Sequence, residues 1–127
     1  MSIIAAVFAA LAAILHVYIF LMESAWWTRP AIWKRFGLAN QAEAETTRVL
    51  AYNQGFYNLF LAIGTGIGVV VFFAGSPAVG AGLMFFGMGS MVLAAIVLTT
   101  SGPGRLRSAL TQGTLPLIGI VLLAIAV

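Results

Sequence analysis

Cysteine is absent from this chain. That excludes disulfides, thiol nucleophiles, iron–sulfur clusters and covalent c-type haem attachment, and it leaves the redox compartment open. Charge is scarce too. The 127 residues hold six Lys and Arg, three Asp and Glu and one His, so only 7% are charged, against roughly 25% in a soluble domain. A water-facing surface cannot be built from so few charges. The net charge of +3 forms no cluster large enough to follow a phosphate backbone, so nucleic acid is not an expected partner. One histidine and one buried carboxylate make a poor metal set, and neither E-x-x-H nor H-E-x-x-H occurs. No metal site is expected, and no cofactor is indicated.

Long apolar runs dominate instead, with 62% of residues hydrophobic. Crossing ~30 Å of hydrocarbon takes about 20 helical residues. Four segments qualify, at about 3–26, 49–73, 78–99 and 108–127, separated by polar or turn-forming stretches. The fold class is therefore all-α: an integral membrane four-helix bundle in one domain, 1–127, with the lipid bilayer as its solvent. The first run lacks a basic leader and exceeds the length of a signal-peptide core, so it reads as a retained span. Barrel strands would alternate and be half as long.

Lys and Arg set the orientation. Arg29, Lys34, Arg35 and Arg48 lie between or at the edges of the first two spans, and Arg105 and Arg107 between the last two. The AGSP turn from Ala74 to Pro77 carries none. The positive-inside rule makes the basic side cytoplasmic and puts both termini on the non-cytoplasmic side. In the first loop, Trp26, Trp27 and Trp33 read as an interfacial aromatic belt, and AIWKRFG as a short segment lying along the headgroups. Asn40 followed by Glu43 has capping-box spacing, so the second helix is expected to start near Gln41 and project beyond the bilayer.

Glycines mark close-packing faces. Gly64 and Gly68 have GxxxG spacing, and Gly80 and Gly87, like Gly82 and Gly89, are seven apart. Packing within one bundle is the first reading, and a homo-oligomer seam through Gly64, Gly68, Gly80 and Gly87 is the alternative.

The polar residues gather at one depth. His16 and Glu23, seven apart, share a face of the first helix. Asn53 and Tyr57, and Gln54 and Asn58, are each spaced i,i+4 in the second. Antiparallel neighbours bring Glu23 level with Asn53, and His16 roughly level with Asn58. Thr99, Thr100, Thr111, Gln112 and Thr114 fall in the same half, while the other half is nearly all apolar. Intramembrane ionisable groups are costly and usually face a bundle interior or a wet cavity. The expectation is a polar intramembrane pocket opening to the cytoplasm, with Glu23 and His16 as acid/base groups and Asn53, Gln54, Tyr57 and Asn58 as ligand-binding groups. Taken singly, each residue has a plainer reading: an interfacial ion pair for Glu23, a satisfied core histidine for His16, and interhelical glue for the amides.

MESAWW, then FGL, then NQGFYNLFLAIG resembles the small four-helix bacterial membrane proteins catalogued as domain of unknown function 1304. His16, Met22, Glu23, Trp26, Phe36, Gly37, Asn53, Gln54, Gly55, Tyr57 and Asn58 carry the resemblance. It implies the four-span fold and a bacterial inner (plasma) membrane, and it implies no particular activity. Small multidrug-resistance transporters also have a Glu in a short first span, but theirs is mid-membrane and serves dual-topology dimers, unlike Glu23. The glutathione-using MAPEG enzymes share the layout. Here Arg48 precedes Asn53, but the Glu that follows in theirs is missing.

Three functions are then open. The first is binding of, or acid/base action on, a small partly apolar molecule from the cytoplasmic side. The second is a structural or partner-binding role in which the polar residues are glue. The third is transport, for which the apolar outer half offers little to line a second gate.

Overall fold

Each long apolar run forms one helix. The computed structural model describes all 127 residues. α1 covers Ser2–Phe20 and continues into a widened π-helical turn at Leu21–Ala25. A short α2, Pro30–Trp33, lies in the first loop. α3 spans Gln41–Phe73, α4 Pro77–Thr100 and α5 Leu106–Ala126. Four helices, the first including its π turn, are long and apolar enough to cross a membrane. Their ends lie within eight residues of the expected spans; the largest difference is at the start of α3, where the capping-box spacing predicts a helix from near Gln41.

The chain runs up and down around a ring. α1 packs on α3 and α5, α3 on α4, and α4 on α5, while α1 and α4 face each other across the diagonal. Small residues set these distances. α1 turns Ala5, Ala9, Ala12 and Ala13 inward. With Ala81, Met84, Met88 and Leu123, the first two of these build an apolar core in the half of the bundle far from the basic loops.

α3 begins as its sequence dictates. The Asn40 side chain accepts from the Glu43 amide at 2.8 Å, and Glu43 Oε2 accepts from the Ala39 amide at 2.7 Å. Each satisfies a backbone donor that the helix start would otherwise leave free. At 33 residues and 1.5 Å per residue, α3 is about 50 Å long, so its first turns extend past the hydrocarbon. At its other end Gly75 adopts φ +109°, a left-handed conformation that suits glycine, and Pro77 then starts α4.

The first loop differs from its expected form. Trp27 and Trp33 are buried, 9% and 8% exposed. Trp27 Nε1 donates to Thr47 Oγ1 at 3.1 Å, and Trp33 Nε1 donates to Gln41 Oε1 at 2.8 Å. Both indoles therefore pin the loop onto the projecting start of α3, and the three-tryptophan belt is corrected to Trp26 alone. Trp26 stays half-buried at the surface, with Arg29 over its ring. Arg105, ahead of α5, donates to the Phe36 carbonyl, so the two basic loops form one layer.

The glycines sort themselves in the same way. A Cβ at Gly80 would fall on the backbone of Phe72, one at Gly68 on the backbone of α4, and one at Gly87 on the buried Thr65. These three lie inside the α3–α4 seam of one chain. Of the four glycines read as an alternative homo-oligomer seam, only Gly64 faces open space.

Candidate functional site

Glu23 sits in the π turn, where the Trp26 amide reaches back five residues to the Leu21 carbonyl at 3.0 Å. A π turn holds an extra residue and so shifts the phase of everything after it. Here it directs two side chains at α3. Ser24 Oγ donates to the Tyr52 carbonyl at 2.9 Å, and the Glu23 carboxylate accepts from Asn58 Nδ2 at 3.0 Å. Gly55 is the notch that admits this turn, since a Cβ there would meet Ser24.

Ser24 against Tyr52 and Phe20 against Phe56 set Glu23 opposite residue 53 along the bundle axis, as the antiparallel register predicts. The partner is nevertheless Asn58. Cα–Cβ bonds tilt towards each helix's own N-terminus, so the Glu23 side chain rises into the bilayer and that of Asn58 descends to meet it.

The other expected groups are not brought together. His16 is 1% exposed, and its Nδ1 lies 2.8 Å from the Ala12 carbonyl of its own helix. A carbonyl only accepts, so that contact places the ring proton on Nδ1. Of the two partners the plainer reading allows His16, Asn58 or a carbonyl, the carbonyl of Ala12 is the one used, and Asn58 bonds Glu23 and the Gln54 carbonyl instead. Asn53, Gln54 and Tyr57 are exposed on the outer face of α3, Tyr57 by 69%. They do not form the inward polar arc read from their spacing. No group of three or more metal-ligating side chains converges anywhere, and no buried side-chain nitrogen or oxygen lacks a hydrogen bond.

A groove of mixed lining lies near the basic loops, on a different side of α1. About 550 Å³ in volume, it is bounded by Leu15, Tyr18, Ile19 and Met22 of the first span, Lys34, Arg35 and Phe36 of the loop, and Arg107, Ser108, Thr111 and Gln112 of α5. Arg35 is held over it, donating to the Tyr18 hydroxyl at 2.9 Å and lying 3.7 Å from Met22 Sδ. Glu23, His16, Asn53 and Asn58 do not line it. A second cavity of similar size is apolar and lies at the opposite end, between the start of α4 and the end of α5.

Two patterns point to the polar groove in the sequence. Leu15, Tyr18, Ile19 and Met22 follow i, i+3, i+4, i+7, and Ser108, Thr111 and Gln112 follow i, i+3, i+4, so each set shares one helix face. Nothing in either pattern says that the two faces meet.

The family described as "Protein of unknown function (DUF1304)" matches residues 10–124. The chain belongs to that family. The match takes in α3 and α4 whole, most of the first and last spans, the Glu23–Asn58 pair and every residue lining the polar groove. No curated protein and no solved structure matches this DUF1304 chain.

Proposed function

We propose that this protein binds a small, partly apolar molecule in the groove between α1 and α5, at the cytoplasmic end of a four-span bundle in a bacterial inner membrane. One observation carries the reading: a cavity of about 550 Å³ has an apolar wall on α1 facing hydroxyl, amide and cationic groups on α5 and the loop. Ligand sites commonly have this size and this mixture of surfaces. The cytoplasmic assignment rests on all six basic residues falling on one side. Tags at both termini should then be reachable only from outside intact cells, and a tag inserted near Leu38 only from inside; the reverse pattern would refute the orientation.

Acid/base work by Glu23 and His16 has less geometric support. The Glu23 carboxylate is held by an amide across the α1–α3 seam, and His16 bonds within its own helix. That arrangement favours the second reading for these residues: they hold the bundle together while the groove does the binding.

The test is native mass spectrometry of the chain extracted from its own membranes. Thr111 is exposed, and its hydroxyl bonds only the Arg107 carbonyl of its own helix, so Thr111→Trp fills the groove without breaking a tertiary contact. Wild type is expected to retain an adduct of discrete mass that Thr111→Trp lacks. Equal adducts in both, or none in either, would end the reading.

A further inference from the structure

The geometry points to an anionic glycerophospholipid of the basic-side leaflet as the molecule that occupies the groove, its phosphate among Lys34, Arg35 and Arg107 and its acyl chains along Leu15, Ile19 and Met22. This rests on the groove being a binding site, as proposed above, and adds the chemical class of its ligand.

Charge makes the first argument. The lining holds three cations and no carboxylate. The chain has only three acidic side chains, and each is engaged elsewhere: Glu23 with Asn58, Glu43 with the Ala39 amide, and Glu45 with Gln41. Arg35 is fixed by a neutral hydroxyl and lies near a thioether, which position its guanidinium and leave its charge unopposed. α5 begins at Leu106, so Arg107 and Ser108 lie in its first turn, where free backbone N–H groups and the helix dipole add to the positive field. A neutral ligand would leave this field unanswered. Guanidinium and ammonium groups together suit a phosphate.

The apolar wall makes the second. Leu15, Ile19 and Met22 lie along one face of the first span, Ile19 and Met22 as its largely buried floor, leading from the loops towards the bilayer interior. A free anion needs no such wall, whereas an acyl chain does. The cations sit at the ends of spans, at headgroup depth, where basic pockets between helices take anionic lipid heads.

The experiment uses the full chain in phosphatidylcholine nanodiscs, with phosphatidylglycerol as the probe and native mass spectrometry as the readout. Phosphatidylglycerol should be retained in preference to added phosphatidylcholine. Lys34→Gln with Arg107→Gln should lower its retention by about tenfold or more, since each basic group near the surface contributes severalfold. Arg29→Gln with Arg48→Gln removes the same charge from the same side but outside the groove, and should stay within about twofold. Should the groove pair fold poorly, Thr111→Glu, which sets a carboxylate at an exposed lining position, should abolish phosphatidylglycerol retention and spare phosphatidylcholine.

Equal retention of the two lipids overturns the inference, and so does an equal loss in both charge pairs. Displacement of phosphatidylglycerol by soluble glycerol phosphate at comparable concentration would assign the groove to a free anion and overturn it as well. An adduct that Thr111→Trp removes but that proves neutral or zwitterionic would defeat the lipid class and leave the binding site standing. Absence of any groove-dependent adduct defeats both.

Discussion

Gly80→Ala should lower the melting temperature of the bundle sharply, and Gly82→Ala, two residues on, should leave it unchanged or raise it. Both substitutions add one methyl group to α4. At Gly80 that methyl would fall on the backbone nitrogen and Cα of Phe72, whereas at Gly82 it meets nothing. Backbone cannot rotate away as a side chain can, so α3 and α4 must separate. Overpacking of this kind costs about 1–3 kcal/mol, while an unobstructed Gly→Ala change in a helix gains up to about 1 kcal/mol. In lipid, where no hydrophobic force joins one helix to another, close approach through small residues supplies much of the association energy. The pair therefore tests whether the α3–α4 seam, with Gly68 and Gly87 farther along it from Gly80, is formed inside one chain. Thermal melting in detergent reads it directly. Equal effects at the two positions would mean that α4 presents a different face to α3.

Asn58→Ala should be the second large loss. It removes the donor to a carboxyl group that is 8% exposed, and an unsatisfied buried acceptor costs about 1–3 kcal/mol. Glu23→Gln should be milder, because an amide oxygen still accepts from Asn58 at the same place. In the double-mutant cycle of Glu23→Ala and Asn58→Ala, a coupling of about 0.6–1.7 kcal/mol is expected, the range for interhelical hydrogen bonds in membranes. Coupling near zero would reduce the pair to proximity.

Much of this fold is legible in the residues because lipid is a stringent solvent. Hydropathy marks four spans, since each backbone polar group in hydrocarbon must bond within its own helix. Asn40 and Glu43 announce the start of α3, and a Gly-Ser-Pro turn announces α4, because caps and turns are local chemistry. The apolar half far from the basic loops is legible for the same reason: Ala5, Ala9, Met84 and Leu123 meet there as composition suggests.

The site was less legible because it depends on which faces meet. Spacing places Asn53 with Tyr57 and Gln54 with Asn58 on shared arcs, but it does not say which arc turns inward. In the structure only Asn58 reaches Glu23, and Tyr57 faces away. The π turn at Leu21–Ala25 breaks the 3.6-residue phase on which the His16–Glu23 relation depends, and nothing in LMESA announces it. Gly55 is the one local sign, an isolated glycine inside a helical run, which often marks a close approach. Residue type alone makes Trp27 and Trp33 indoles at a membrane boundary. Their N–H groups bond the projecting start of α3 instead, at Thr47 and Gln41, partners that residue type alone does not name. The groove needs α1, the first loop and α5 together, and pairing of α1 with α5 closes the ring only in three dimensions.

One crossed measurement tests most directly whether binding and bundle stability reside in different parts of this molecule. Thr111→Trp and Asn58→Ala are prepared side by side, and each is scored for retained adduct by native mass spectrometry and for melting temperature. The groove variant should lose the adduct and melt like wild type. The seam variant, measured below its melting point, should keep the adduct and melt well below wild type. If Thr111→Trp keeps the adduct, the assignment of binding to the groove is wrong, and if Asn58→Ala loses it while its stability is intact, the ligand sits at Glu23 and Asn58 instead.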